Sequence, residues 1–120
     1  TQQRLFAQLN DALRVFVQDL KRNNRFNDVL LFTFSEFGRR VAQNASGGTD
    51  HGAANNMMFI SGSLQQKGLI NPLPDLADLP DGDLRCNVDF KQVYATILEK
   101  WLQANALQIL GKDYPLLNFI

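Results

Sequence analysis

The chain has only one cysteine, one histidine and one tryptophan among its 120 residues. Cys86 has no partner for an internal disulfide, so no covalent staple supports the fold, and a single thiol leaves the redox compartment open. Charge of one sign is also missing: twelve Lys and Arg offset twelve Asp and Glu. That balance removes the electrostatic case for a nucleic-acid or acidic-lipid partner. No apolar run approaches the ~18 residues of a membrane span. No internal repeat and no low-complexity tract is present. The first apolar residues are broken by Arg4, Gln8 and Asp11, which is not the core of a signal peptide. With Thr1 rather than Met at the start, the expectation is a processed chain or a piece of a longer one.

What remains is ordinary for a globular protein: 45% hydrophobic and 20% charged residues, enough for one modest domain. The stretch Val29–Gly52 organises the rest. Its apolar run Val29-Leu30-Leu31-Phe32-Thr33-Phe34 stops at Ser35-Glu36-Phe37-Gly38-Arg39-Arg40. A polar, Gly-rich loop then closes on Asp50-His51-Gly52, which holds the single histidine. The nearly continuous apolar character of Val29–Phe34 predicts a strand buried on both faces, as in a parallel sheet covered by helices. A carboxylate just past such a strand lies where open α/β sheets place their ligands.

Upstream, Leu5, Leu9, Ala12, Leu13, Phe16, Val17 and Leu20 recur at helical spacing and predict an amphipathic helix over Gln3–Arg22. Lys21 and Arg22 suit its last turn, and Asn23-Asn24 supply the stop. Downstream, Arg39–Gly48 lacks a period and reads as loop. Met57-Met58-Phe59-Ile60 reads as a second buried strand, with both methionines in the core. Gln65–Asp83 reads as a loop punctuated by Pro72, Pro74 and Pro80, with Leu69, Ile70, Leu73, Leu76 and Leu79 pinning it down. Asp89 and Gln92 form a capping box for a helix whose buried stripe is Phe90, Val93, Tyr94, Ile97, Leu98, Trp101 and Leu102. A short turn over Ala106–Leu110 ends at Gly111, and the apolar tail Tyr114–Ile120 is expected to dock.

The chemistry-bearing candidates cluster in the central stretch. Glu36 would bind a metal or act as a base, or simply pair with Arg39 or Arg40. Asp50 and His51 are good ligands for zinc-like ions, and adjacent residues in extended backbone point to opposite sides. The plainer reading is an exposed loop in which Asp50 caps a turn. Arg39 and Arg40 would clamp an oxyanion bidentately, or be solvated surface. Ser35 and Thr49 have no adjacent base and are expected to bond locally. Gly47, Gly48 and Gly52 permit close backbone approach to a ligand.

Ser35-Glu36-Phe37-Gly38-Arg39, Gly48-Thr49-Asp50-His51-Gly52 and Val88-Asp89-Phe90-Lys91-Gln92-Val93-Tyr94-Ala95-Thr96-Ile97-Leu98 with Trp101-Leu102, in that order, resemble the bacterial domain-of-unknown-function family 1501. The Leu110-Gly111 and Pro115-Leu116 ending fits it too. That family looks like a branch of the alkaline phosphatase and sulfatase superfamily. The resemblance implies an α/β fold of three αβα layers with a mostly parallel sheet, of which residues 1–120 form a single C-terminal portion. It implies an exported or periplasmic protein and an upstream nucleophile absent here. Glu36, Asp50 and His51 would then hold a divalent metal such as zinc, and Arg39 and Arg40 would face a phosphate or sulfate ester.

Two placements onto the superfamily's Asp-His-Gly metal motif arise. Either Ser35-Glu36-Phe37-Gly38 is that motif, with Phe37 in place of a ligand, or Thr49-Asp50-His51-Gly52 is. The first is preferred, because a strand must precede the motif and Arg40–Gly48 does not read as one. The expected function is thus the C-terminal part of a metal-dependent hydrolase-like protein, inactive alone. The alternative is a binding or scaffold domain that kept the fold and lost the metals. Half a site and a missing strand predict exposed apolar surface and self-association.

Overall fold

The structure, a computed structural model, describes residues 2–120. It divides into two compact units, one running up to Phe32 and resuming over Phe59–Ser63, the other comprising Thr33–Met58 and Leu64–Ile120.

The first unit holds helix α1, Gln2–Arg22. Its end is a Schellman cap: Arg25 N–H donates to Leu20 O at 2.8 Å and Asn24 N–H to Lys21 O at 3.2 Å. Asn24 supplies the left-handed residue at φ 54°, the role its amide side chain tolerates. The helix is amphipathic, as its spacing predicts, yet buries none of its residues. Phe6 is 67% exposed, and Leu5, Leu9, Val15 and Phe16 are also open. Unit one also contains β1, Leu31–Phe32, paired antiparallel with Phe59–Ile60. The Phe32 and Phe59 rings stack across that ladder at 6.1 Å.

The second unit opens with a hairpin of β2, Gly38–Gln43, and β3, Thr49–Gly52, antiparallel with Gly38 opposite Gly52 and Arg39 opposite His51. The strand Phe59–Ile60 of unit one follows in chain order as β4. A long connection then leads to α2, Phe90–Thr96, a wider turn over Ile97–Trp101 and α3, Ala106–Leu110. The α2 capping box forms as its residues predict: Asp89 accepts from Lys91 N–H at 2.9 Å, and Gln92 Oε1 accepts from Asp89 N–H at 3.2 Å.

The core lies here, in Val93, Ala95, Ile97, Ala106, Phe119 and Ile120 around the fully buried Thr96. Thr96 Oγ1 donates to Gln92 O at 2.7 Å and accepts from Leu117 N–H at 2.9 Å. Lys100 Nζ ties the tail further, donating to Leu117 O at 2.8 Å and Ile120 O at 3.0 Å. The tail docks as its apolar character requires, with Phe119 only 1% exposed.

The expected three-layer αβα fold with a mostly parallel sheet is not what forms. Both sheets are two-stranded and antiparallel. A parallel pair needs a crossover of a dozen or more residues, usually a helix. Between β1 and β4 the chain instead forms the β2–β3 hairpin and no helix, so it returns in the opposite direction. The strands expected over Val29–Phe34 and Met57–Ile60 shrink to two residues each. Their apolar side chains are half-buried, and Phe34 is 72% exposed.

Arg39–Gly48, read as loop, contains most of the longest strand. It has no hydrophobic period because all of β2 beyond Gly38 faces solvent; its pairing is a backbone matter. Met58 is exposed rather than core; its backbone pairs with Thr33, the N–H donating to Thr33 Oγ1 at 2.9 Å. Leu69, Leu73 and Leu76 also stay exposed instead of pinning their loop. Pro72 and Pro74 lack the N–H donors that would let that segment join a sheet. Phe90 and Leu102, placed in the buried stripe, are exposed as well. The wider turn after Thr96 rotates the later residues off the face that Val93 and Ile97 bury.

Candidate functional site

The β2–β3 hairpin carries five of the six residues around an open cavity of about 570 Å³: Arg39, Arg40, Thr49, Asp50, His51, and Asn44 at the start of its turn. The turn is built on the Asn44 side chain. Its Oδ1 accepts from Ser46 N–H at 3.1 Å, Ser46 Oγ at 2.8 Å and Gly48 N–H at 3.0 Å. Gly47 takes the left-handed residue at φ 76°. The same amide then reaches β3, with Nδ2 donating to Asp50 Oδ1 at 3.0 Å.

At the other end the strands close on glycine. A Cβ on Gly38 would sit 1.7 Å from Ala54 O, and one on Gly52 would sit 2.6 Å from Asp83 Oδ1. The close approach at Gly52 therefore serves the protein's own packing against Asp83 and β2. Asp83 also accepts from Ala53 N–H at 3.3 Å and faces Arg40 Nε at 3.8 Å.

Between these ends lies the chemistry. Arg39 Nη1 donates to Thr49 O at 2.8 Å, which steadies the guanidinium and leaves other N–H groups of its fork for a ligand. The Phe37 ring stacks on His51 with centroids 3.7 Å apart and planes 19° apart. Arg39 Cζ lies 5.5 Å from the same phenyl ring. The cavity lining thus sets two guanidiniums and an imidazole against one carboxylate, Asp50, with Asp83 balancing Arg40 from beside it.

Of the sequence candidates, Arg39, Arg40, Asp50 and His51 share this rim. Glu36 stands exposed in the bend just before β2, one residue from the ring that covers His51. Its carboxylate does not complete a site: among the described residues no group of three or more His, Cys, Asp or Glu side chains could hold a metal ion. Asp50 and His51 alone fall short of the three protein ligands that a zinc-type centre takes. Ser35 bonds locally, donating to Phe37 O at 2.8 Å.

Sequence reasoning gave Asn44 and Asp83 no role in the site and treated Phe37 only as a residue standing in place of a metal ligand. Asn44 carried a usable signal, an Asn just ahead of Ser-Gly-Gly, where its side chain can organise a turn. Asp83 acts on a hairpin thirty residues away from Ala53 and left no local mark.

A family model described as "Protein of unknown function (DUF1501)" matches residues 1–105. No curated protein and no solved structure matches the chain.

Proposed function

The chain belongs to the DUF1501 family, and we propose that it is the C-terminal part of an exported hydrolase-like protein of the phosphate or sulfate ester class. On this reading the β2–β3 hairpin faces the ester's anionic group, and this portion alone does not hydrolyse it. The observation that carries the reading is the open cavity lined by Arg39, Arg40, His51 and the hydroxyl-bearing Thr49. Guanidinium forks match the oxygens of phosphate and sulfate and stabilise charge that builds on them. Metal dependence and export are supported by the family resemblance. Metal ions in the longer protein would polarise the ester and activate its nucleophile, held by ligands outside this hairpin.

The test is an amide NMR titration of the chain with inorganic phosphate and sulfate. Shifts concentrated in β2 and β3, and lost in Arg39→Gln, support the reading; no shift at millimolar anion overturns it. In the full-length parent supplied with divalent metal, His51→Ala should lower ester hydrolysis.

A second reading, a non-catalytic binding or scaffold domain, is favoured by the phenyl ring against His51. Stoichiometric metal in elemental analysis of the full-length protein would count against it.

A further inference from the structure

We infer that the β2–β3 hairpin binds a tetrahedral oxyanion directly on its side chains and holds no metal ion itself. This rests on the reading of the cavity as anion-facing and adds how the anion is held. The family likeness led to the opposite expectation, with Glu36, Asp50 and His51 as ligands to a divalent ion.

Three observations on the hairpin oppose that expectation. Asp50 Oδ1 already accepts from Asn44 Nδ2 at 3.0 Å, so one carboxylate oxygen serves the turn. His51 lies opposite Arg39 in the ladder, and its ring is held at 3.7 Å against Phe37, whose face also meets Arg39. A cation beside His51 would therefore meet a fixed guanidinium charge across the strand pair. No third His, Cys, Asp or Glu side chain joins them among the described residues.

The same features favour an anion. Arg39 is pre-positioned by its bond to Thr49 O at 2.8 Å, so less side-chain freedom is lost on binding. Among the described residues Arg40 makes one long ion-pair contact, to Asp83 at 3.8 Å, and its guanidinium keeps N–H groups and charge for an anion. A phosphate or sulfate group on the Arg39 fork, on the face that Arg39 shares with His51, would accept charge-assisted hydrogen bonds from its remaining N–H groups, with the Arg40 charge next to it in β2. Free phosphate and the phosphoryl end of an ester present the same oxygens; comparing inorganic phosphate with a phosphomonoester tells them apart.

The experiment uses the chain in a chelator-containing buffer, with anion binding followed by NMR and zinc binding followed in a separate, chelator-free sample at the His51 imidazole nitrogens. The expected result is phosphate binding with chelator present, weakened about tenfold or more by Arg39→Gln, and no stoichiometric zinc shift at His51. Arg39→Lys, which keeps the charge but not the fork, should fall between the two and guards against a misfolded Gln variant. Phosphate binding that appears only with zinc, or a stoichiometric zinc shift at His51, overturns the inference while leaving the hairpin an anion site. Absence of phosphate binding with and without zinc overturns both the inference and the functional reading beneath it.

Discussion

The Phe37 phenyl ring lies nearly parallel to the His51 imidazole, 3.7 Å between centroids. Phe37 sits in the bend before β2, and His51 sits in β3 opposite Arg39. The stack fastens that bend to the hairpin. It fixes the plane of the only histidine in the chain, and hence the direction in which its nitrogens point.

Replacing Phe37 should release the imidazole. Phe37→Ala should lower stability by about 1–2 kcal/mol, from the lost ring pair and its buried area. The His51 ring protons should lose their ring-current displacement. Proton NMR of the imidazole reads the second effect independently of stability, and an unmoved His51 spectrum would refute the stack.

Thr96 offers a sharper test of the core. Its hydroxyl both donates to Gln92 O and satisfies Leu117 N–H in a fully buried setting. Thr96→Val keeps the shape and leaves that N–H unpaired, which costs about 1–3 kcal/mol. Thr96→Ser retains the hydroxyl and should recover part of the loss. Urea unfolding of the two variants separates hydrogen bonding from packing.

Asp78 and Arg85 form a paired-donor contact, Nε to Oδ2 and Nη2 to Oδ1 at 2.9 Å. The hydrogen bond from Arg85 holds the Asp78 carboxyl below its ordinary value. A carboxylate depressed in the folded state contributes stability above its unfolded pKa and loses it as pH falls through the folded one. The pair is exposed, so the effect on stability is small. Titrating the Asp78 carboxyl carbon should show a midpoint below that of free aspartate, returned upward by Arg85→Gln. An unchanged midpoint in that variant would remove Arg85 as the cause.

The open apolar face of α1 predicts association of the isolated chain. Leu5, Phe6, Leu9, Val15 and Phe16 are all exposed on a helix with no fully buried residue, where Leu13, Val17 and Leu20 are half-buried. Sedimentation should show mean mass rising with concentration, and Leu9→Lys with Phe16→Lys should suppress that rise. A concentration-independent monomer would contradict the prediction.

The sequence was most legible where a structural outcome depends on neighbours along the chain. The α1 stop at Asn23-Asn24, the Asp89/Gln92 capping box and the Gly111 cap at φ 72° each follow from side chains within a few positions of the backbone groups they serve. The candidate residues Arg39, Arg40, Asp50 and His51 were also readable, because chemistry-bearing types crowd one short stretch. Their setting was not. The preference for Ser35–Gly38 over Thr49–Gly52 as the metal motif assumed that no strand precedes Thr49, and β2 removes that ground. Continuous apolar character in Val29–Phe34 suggested a parallel sheet, but hydrophobicity reports burial and carries no strand direction.

By itself, then, the amino-acid order determined the helix ends, the docked apolar tail and the set of polar groups available to a ligand, since each depends on local hydrogen bonding or composition. Only the tertiary structure decided that the strands run antiparallel, that Phe37 covers His51, and that Asp83 seats the hairpin beside Arg40. Those relations join residues far apart in the chain. They are set by which backbone groups find partners after the chain turns back, and no pattern within a single segment encodes that.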